Sequence, residues 1–341
     1  MYPAAFEYHR VTSVEEAVGL LSRYKDDAKL LAGGHSLVPM MKLRLAQPKH
    51  LVDIGRIGSL AGVREDGGAT VIGALTTHYA VESNASLKTK CPVLPDAAAM
   101  IGDPQVRNLG TVGGSLAHAD PAADWPAVVL ALGAELKAVG PKGARTINVD
   151  DFFKDLLTTA LGPDEILTEI RVPGLPAHTG TAYLKHPHPA SRFAVVGVAA
   201  VVTLDGGGKV SSARVAVTGV GAKAVRAKGV EAALSGKVPD AATIQAAAAK
   251  AADGIEMSAD LQGSVEYKRH LTQVYAKRAL EAAVARAKAR PGGPPKSGVT
   301  PKVRLTSKSG LPEVDEKPGH DPDDGGGRAF ACPVPGDPDA A

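Results

Sequence analysis

The stretch Ala32-Gly33-Gly34-His35-Ser36-Leu37-Val38-Pro39-Met40-Met41-Lys42-Leu43-Arg44-Leu45 decides how the rest of this chain is read. A short apolar run, Lys29 to Ala32, leads directly into two adjacent glycines, and helical character returns from Leu37 to Leu45 with Pro39 near its start. Adjacent glycines permit positive φ and close approach, so successive N–H groups can converge on an anion. A second glycine-rich turn, Thr111-Val112-Gly113-Gly114-Ser115, follows later in the chain. One such turn is more often only a turn. Two of them, with Ser36, Thr111 and Ser115 adding hydroxyls, fit a clamp for a pyrophosphate. Neither matches the G-x-G-x-x-G fingerprint or the Walker A loop, which argues against Rossmann and P-loop folds.

Working outward, Ser13 and Glu16 form a capping box ahead of helically spaced Val14, Ala17, Val18 and Leu21. His50 to Ile54 reads as the closing strand of this first α/β unit. Between 58 and 173 the pattern predicts a strand at Ala69 to Ile72, helices at Leu94 to Ile101 and Pro126 to Leu132, and a strand at Glu165 to Val172. Val195 to Leu204 and Val210 to Val217 are β-branched runs joined by Asp205-Gly206-Gly207-Gly208, a hairpin pattern. Ala-rich helices are expected at about 226–234, 240–252 and 264–288. From Pro291 onward, ten Pro and nine Gly occur with no hydrophobic periodicity, so 289–341 is expected to be a disordered tail.

Composition narrows the function. The 341 residues are 44% hydrophobic with a net charge of +3 and no basic stripe, which disfavours nucleic acid. The N-terminus lacks a secretory pattern, and no apolar run approaches the ~18–20 residues of a membrane span. A cytoplasmic protein is expected. Only Cys91 and Cys332 are present, too few for an iron–sulfur cluster or a structural zinc site. Any metal chemistry would have to come from another subunit.

The two glycine stretches resemble the FAD-binding motifs of the flavin subunits of molybdenum hydroxylases, the family of xanthine dehydrogenase and aerobic carbon monoxide dehydrogenase. The second runs Thr111-Val112-Gly113-Gly114-Ser115-Leu116-Ala117-His118-Ala119-Asp120-Pro121-Ala122-Ala123-Asp124. His35 and Met40-Met41 make the first most similar to the carbon monoxide dehydrogenase branch. The resemblance covers about residues 1–288. It implies an α+β architecture: a two-subdomain FAD-binding fold (PCMH/VAO-like) over 1–57 and 58–175, then a C-terminal α+β domain of the CO dehydrogenase flavoprotein type over 176–288.

The resemblance also implies a site. Ala32, Gly33, Gly34, His35, Ser36 and Leu37, with Thr111, Val112, Gly113, Gly114 and Ser115, would hold the FAD pyrophosphate region. Asp124 would accept from the ribose or adenine side, Leu167 would pack on the flavin, and Lys185 would lie near the flavin ring. Ser115 stands where Asn or Asp is commoner, and 187–193 lacks the Arg-Arg-Asp-Asp run of xanthine dehydrogenases, which weakens NAD as acceptor.

The implied role is electron transfer within a heterotrimer. A large molybdopterin subunit would oxidise substrate, and a small [2Fe–2S] subunit would relay electrons to the FAD held here. The assembly would be a dimer of heterotrimers, with a quinone as acceptor at the inner membrane face. CO, aldehydes, N-heterocycles and thioesters all stay open as substrates. Two competing readings also stay open: a non-redox nucleotide-binding module and a stand-alone flavin oxidase. His118 is more often structural, Asp120 fits a local turn, Lys185-His186-Pro187-His188 reads as a loop, and Trp125 as core.

Overall fold

The computed structural model describes residues 2–289, so the tail expected at 289–341 lies outside the described residues apart from Ala289. Near the N-terminus, three short parallel strands form one sheet in the order Glu7–Arg10, His50–Asp53, Ala28–Leu31. Helix Val14–Tyr24 packs Ala17, Val18 and Leu21 towards it. The Ser13 hydroxyl accepts the Glu16 N–H, while the Glu16 carboxylate reaches back one residue further, to the Thr12 N–H. At the sheet edge Tyr24 stacks on His50 with ring centres 3.6 Å apart, and His50 is hydrogen-bonded to His9.

The second sheet has five antiparallel strands in the order Val63–Asp66, Ala69–Gly73, Ile166–Val172, Glu135–Gly140, Gly143–Asn148. Its central strand therefore arrives from far along the chain. The third sheet, Thr179–Pro187, Ala194–Leu204, Val210–Thr218 and Val225–Arg226, is an antiparallel meander. Helices Lys228–Leu234, Ala241–Ala248 and Val265–Ala289 form its second apolar core. Gly180 lets the last of these lie directly on the sheet, since a Cβ there would sit 1.9 Å from the Ala283 carbonyl oxygen.

Between these layers runs helix Asp124–Leu132, every residue of which is buried. It belongs to one apolar core that reaches from Ile72 to Ala224. Trp125 is fully buried within it, as the sequence implied. The helix begins two residues before Pro126, the start expected from the sequence. Pro126 is the third residue of the helix, where its missing N–H would have had no intrahelical acceptor. Pro39 and Pro95 occupy the same third position in Leu37–Lys42 and Val93–Ala99.

Two expectations change. Lys185, His186 and Pro187 end a nine-residue strand instead of forming a loop, with Pro187 at a register shift where a donor is dispensable. Residues 112–115 are not a free-standing turn but the first turn of helix Val112–His118, capped by Thr111, whose Oγ1 accepts the Gly114 N–H. Among the described residues, no helix is long and apolar enough to cross a membrane.

Candidate FAD site

A cavity of about 630 Å³ is lined by the segment after strand Ala28–Leu31, by residues within 101–124 and 157–167, and by the loop 191–193 between the first two strands of the third sheet. Its volume lies within the ~300–1,000 Å³ typical of small-molecule sites. All of residues 32–37 line it, as do Thr111, Gly113, Gly114, Ser115, Asp124 and Leu167. Of the residues the sequence singled out for binding, only Val112 and Lys185 do not. Val112 is buried in the core that includes Ile72 and Ala74.

The two glycine motifs touch. A Cβ on Gly33 would lie 2.2 Å from the Leu109 carbonyl oxygen, and one on Gly113 would lie 2.4 Å from the Ala74 Cβ. Both glycines are thus needed for close approach, while Gly34 supplies the left-handed backbone at φ +73°.

Their hydrogen-bonding states are opposite. Val112, Gly113, Gly114 and Ser115 spend their N–H groups on Thr76 O, Ala74 O, Thr111 Oγ1 and Thr111 O. Among the described residues, the five successive N–H groups of Gly33, Gly34, His35, Ser36 and Leu37 meet no protein acceptor. The first motif is therefore an open cradle of backbone donors suited to an anion. Each motif also offers a hydroxyl, Ser36 in the first and Ser115 in the second, and neither has a protein partner among the described residues. This is what a pyrophosphate-bearing ligand requires, and the residues present fit FAD.

Asp124 and Lys185 are bonded to each other within the protein. The Asp124 carboxylate accepts from the Tyr183 hydroxyl and from Lys185, whose Nζ is 2.9 Å from Oδ1 and 3.0 Å from Oδ2. Lys185 Nζ also donates to the carbonyls of Met100 at 2.8 Å and Arg192 at 2.7 Å. All three ammonium protons are used within the protein. Burial pushes the Asp124 carboxyl up and the Lys185 ammonium down, and the attraction between them opposes both shifts. Asp124 belongs to the cavity wall and Lys185 sits behind it, where it ties down two loops that line the cavity, 100–102 and 191–193. Arg192 in the second loop is held at φ +59°.

Asp120 Oδ1 accepts the Ala122 N–H, the local turn its sequence context implied, and both Asp120 and His118 face the cavity. Sequence reasoning missed Gly102, Gly110, Phe193 and His78, which also line it. Gly110, immediately before Thr111, was the one that could have been found from its neighbours.

Comparison with known proteins agrees with this geometry. Residues 4–175 match the FAD binding domain in molybdopterin dehydrogenase, and 181–283 match the CO dehydrogenase flavoprotein C-terminal domain. The carbon monoxide dehydrogenase medium chain of Hydrogenophaga pseudoflava is 46% identical over 286 residues, covering 84% of this chain and 99% of its own. A solved structure of carbon monoxide dehydrogenase from the same organism, which lacks the Mo-pyranopterin moiety of the molybdenum cofactor, superposes with a TM-score of 0.81 at 48% identity, over 84% of this chain and 99% of that one. The 6-hydroxypseudooxynicotine dehydrogenase complex subunit alpha of Paenarthrobacter nicotinovorans is 38% identical over 84% of this chain and 97% of its own. With its two-part match and these relatives, the chain belongs to the FAD-binding flavoprotein subunits of the molybdenum hydroxylase family, and its cofactor is FAD.

Proposed function

We propose that this chain is the FAD-carrying electron-transfer subunit of a heterotrimeric molybdenum hydroxylase, with carbon monoxide the favoured substrate of the assembly. The observation that carries the binding part is the row of five unused N–H groups at Gly33 to Leu37 in the cavity. The preference for carbon monoxide rests on the 46% identity to a carbon monoxide dehydrogenase medium chain. A relative at 38% identity belongs to a 6-hydroxypseudooxynicotine dehydrogenase complex, so flavoprotein similarity constrains the large subunit's substrate only weakly.

In this reading FAD supplies the electron-accepting and electron-donating chemistry, and the protein supplies binding, orientation and tuning. Gly33 to Leu37 and the Ser36, Thr111 and Ser115 hydroxyls hold the pyrophosphate region. Leu167 and Phe193 shape the apolar part of the cavity, and the buried Asp124–Lys185 pair keeps the loop of Phe193 in place. Subdomains at 1–57 and 58–175 and a C-terminal domain at 176–288 contribute successive walls. Partners are a molybdopterin-bearing large subunit and a [2Fe–2S] small subunit, assembled as a dimer of heterotrimers in the cytoplasm and delivering electrons to a quinone at the membrane's inner face.

The test is purification of the chain from its native host with whatever accompanies it, followed by absorption spectroscopy and metal analysis. A flavin spectrum that bleaches with dithionite, together with two co-purifying subunits containing molybdenum and iron, is expected. A chain that takes up no FAD, alone or with partners, would leave a non-redox nucleotide-binding module.

A further inference from the structure

His78 opens the helix His78–Ser83 and is only 5% exposed, yet it belongs to the cavity wall. Its backbone is fixed to the second glycine motif, the His78 N–H donating to the Gly110 carbonyl at 2.9 Å. Its ring is fixed by the buried Trp125, whose indole Nε1–H donates to His78 Nδ1 at 3.1 Å. An indole nitrogen only donates, so Nδ1 must be the accepting nitrogen. In the neutral imidazole the proton then resides on Nε2. Burial, reinforced by His35 and Arg107, lowers the imidazole pKa to about 4 and keeps the ring neutral near pH 7.

The free nitrogen faces Gly110. A Cβ at that position would lie 2.8 Å from His78 Nε2 and 2.9 Å from its Cδ2, so only glycine lets the ring edge pack this closely against the second motif. Among the described residues, Nε2–H has no protein acceptor. A side chain this buried, locked in one tautomer by a dedicated donor, with its other N–H unused at a cavity wall, is a fixed neutral donor awaiting a ligand atom.

We infer that His78 Nε2–H donates a hydrogen bond to an acceptor atom of FAD beside Gly110, and that Trp125 sets the tautomer that makes this possible. The inference rests on the FAD reading above. His78 is a binding and positioning residue in it, and no bond is made or broken there.

The test uses the full-length apoprotein and FAD. Nitrogen-15 spectra of the wild-type imidazoles should show His78 as the Nε2–H tautomer, with its Nε2 resonance shifting when FAD is added. His78→Leu should weaken FAD binding about 10-fold, the scale of one lost hydrogen bond. His78→Gln, which can present an N–H at similar reach, should recover most of that loss. Wild-type imidazole signals unmoved by saturating FAD would overturn the inference, and so would His78→Leu and His78→Gln binding FAD equally. The wild-type spectra decide the matter even if a variant fails to fold. A wild-type protein that takes up no FAD at all would instead sink the functional reading on which this one stands.

Discussion

The backbone at Gly33 is pressed against the carbonyl of Leu109, so that a Cβ built on Gly33 would lie 2.2 Å from that oxygen. Gly33→Ala must therefore push the two glycine motifs apart. Overpacking of this kind costs about 1–3 kcal/mol, and here the strain falls on the cavity wall itself. FAD affinity should drop by at least about 10-fold, the equivalent of ~1.4 kcal/mol, in a flavin fluorescence titration. Gly19 is the control: nothing lies within 4 Å of its Cβ position on helix Val14–Tyr24. Gly19→Ala should leave FAD binding unchanged and raise stability by about 0.5–1 kcal/mol. Equal effects at both sites would contradict the apposition.

Lys185 is expected to matter to the apoprotein as much as to the flavoprotein. Removing it as Lys185→Met leaves Asp124 buried without its cation and frees the carbonyls of Met100 and Arg192. Breaking a buried pair this way costs about 3–5 kcal/mol. Thermal unfolding of the apoprotein should show the loss, and Lys185→Met with Asp124→Leu should restore a substantial part of it. A residue that acted only on the flavin ring would leave apoprotein stability untouched.

Acid should destabilise the protein through His78. Its folded pKa of about 4 lies below the ordinary histidine value near 6.5, so between these limits the unfolded chain binds more protons. Stability from this group is complete above pH ~6.5 and is lost as pH falls through the folded pKa, by about 3 kcal/mol at most. Denaturant titrations of wild type and His78→Gln across pH 4–7 should show a shallower slope in the variant. Parallel slopes would mean that other groups dominate acid unfolding.

FAD should stabilise the chain by mass action. At a free concentration 100 times the dissociation constant, the gain is about 2.7 kcal/mol. Melting curves should move upward with added FAD for wild type. The shift should disappear when bulky residues replace Gly33 and Gly34, since their N–H cradle would be closed.

Much of the site was legible from sequence because its parts are local. Residues 32–37 and 111–115 are contiguous motifs, and the helix, strand and hairpin patterns around them are strong. The less legible parts depended on distance in the chain. Ala69–Gly73 pairs with Ile166–Val172 across about a hundred residues, and no local pattern announces such a partner. Lys185 could be located near the site by resemblance. Its direction could not, because that depends on Asp124, Met100 and Arg192 meeting it from three separate segments. Val112–His118 read as a turn because two glycines are poor helix formers. Packing against Ala74 overrides that preference, since only glycine fits at 113. His78 carried no signal as a lone histidine; Trp125 and Gly110 give it meaning only in three dimensions.

The close seat of helix Val265–Ala289 on Gly180 has a consequence for biosynthesis. The helix that completes the third sheet is the last described element of the chain, and Arg286 bonds back to the Thr181 carbonyl and to the Asp96 carboxylate. A ribosome must therefore release nearly all of residues 2–289 before the apolar face of that sheet can be covered. Until then the face built by Ala182, Val198 and Val202 is open to other nascent chains. Among the described elements, helix Val265–Ala289 is the last that can join, and its docking closes the core around Ala182, Val198 and Val202.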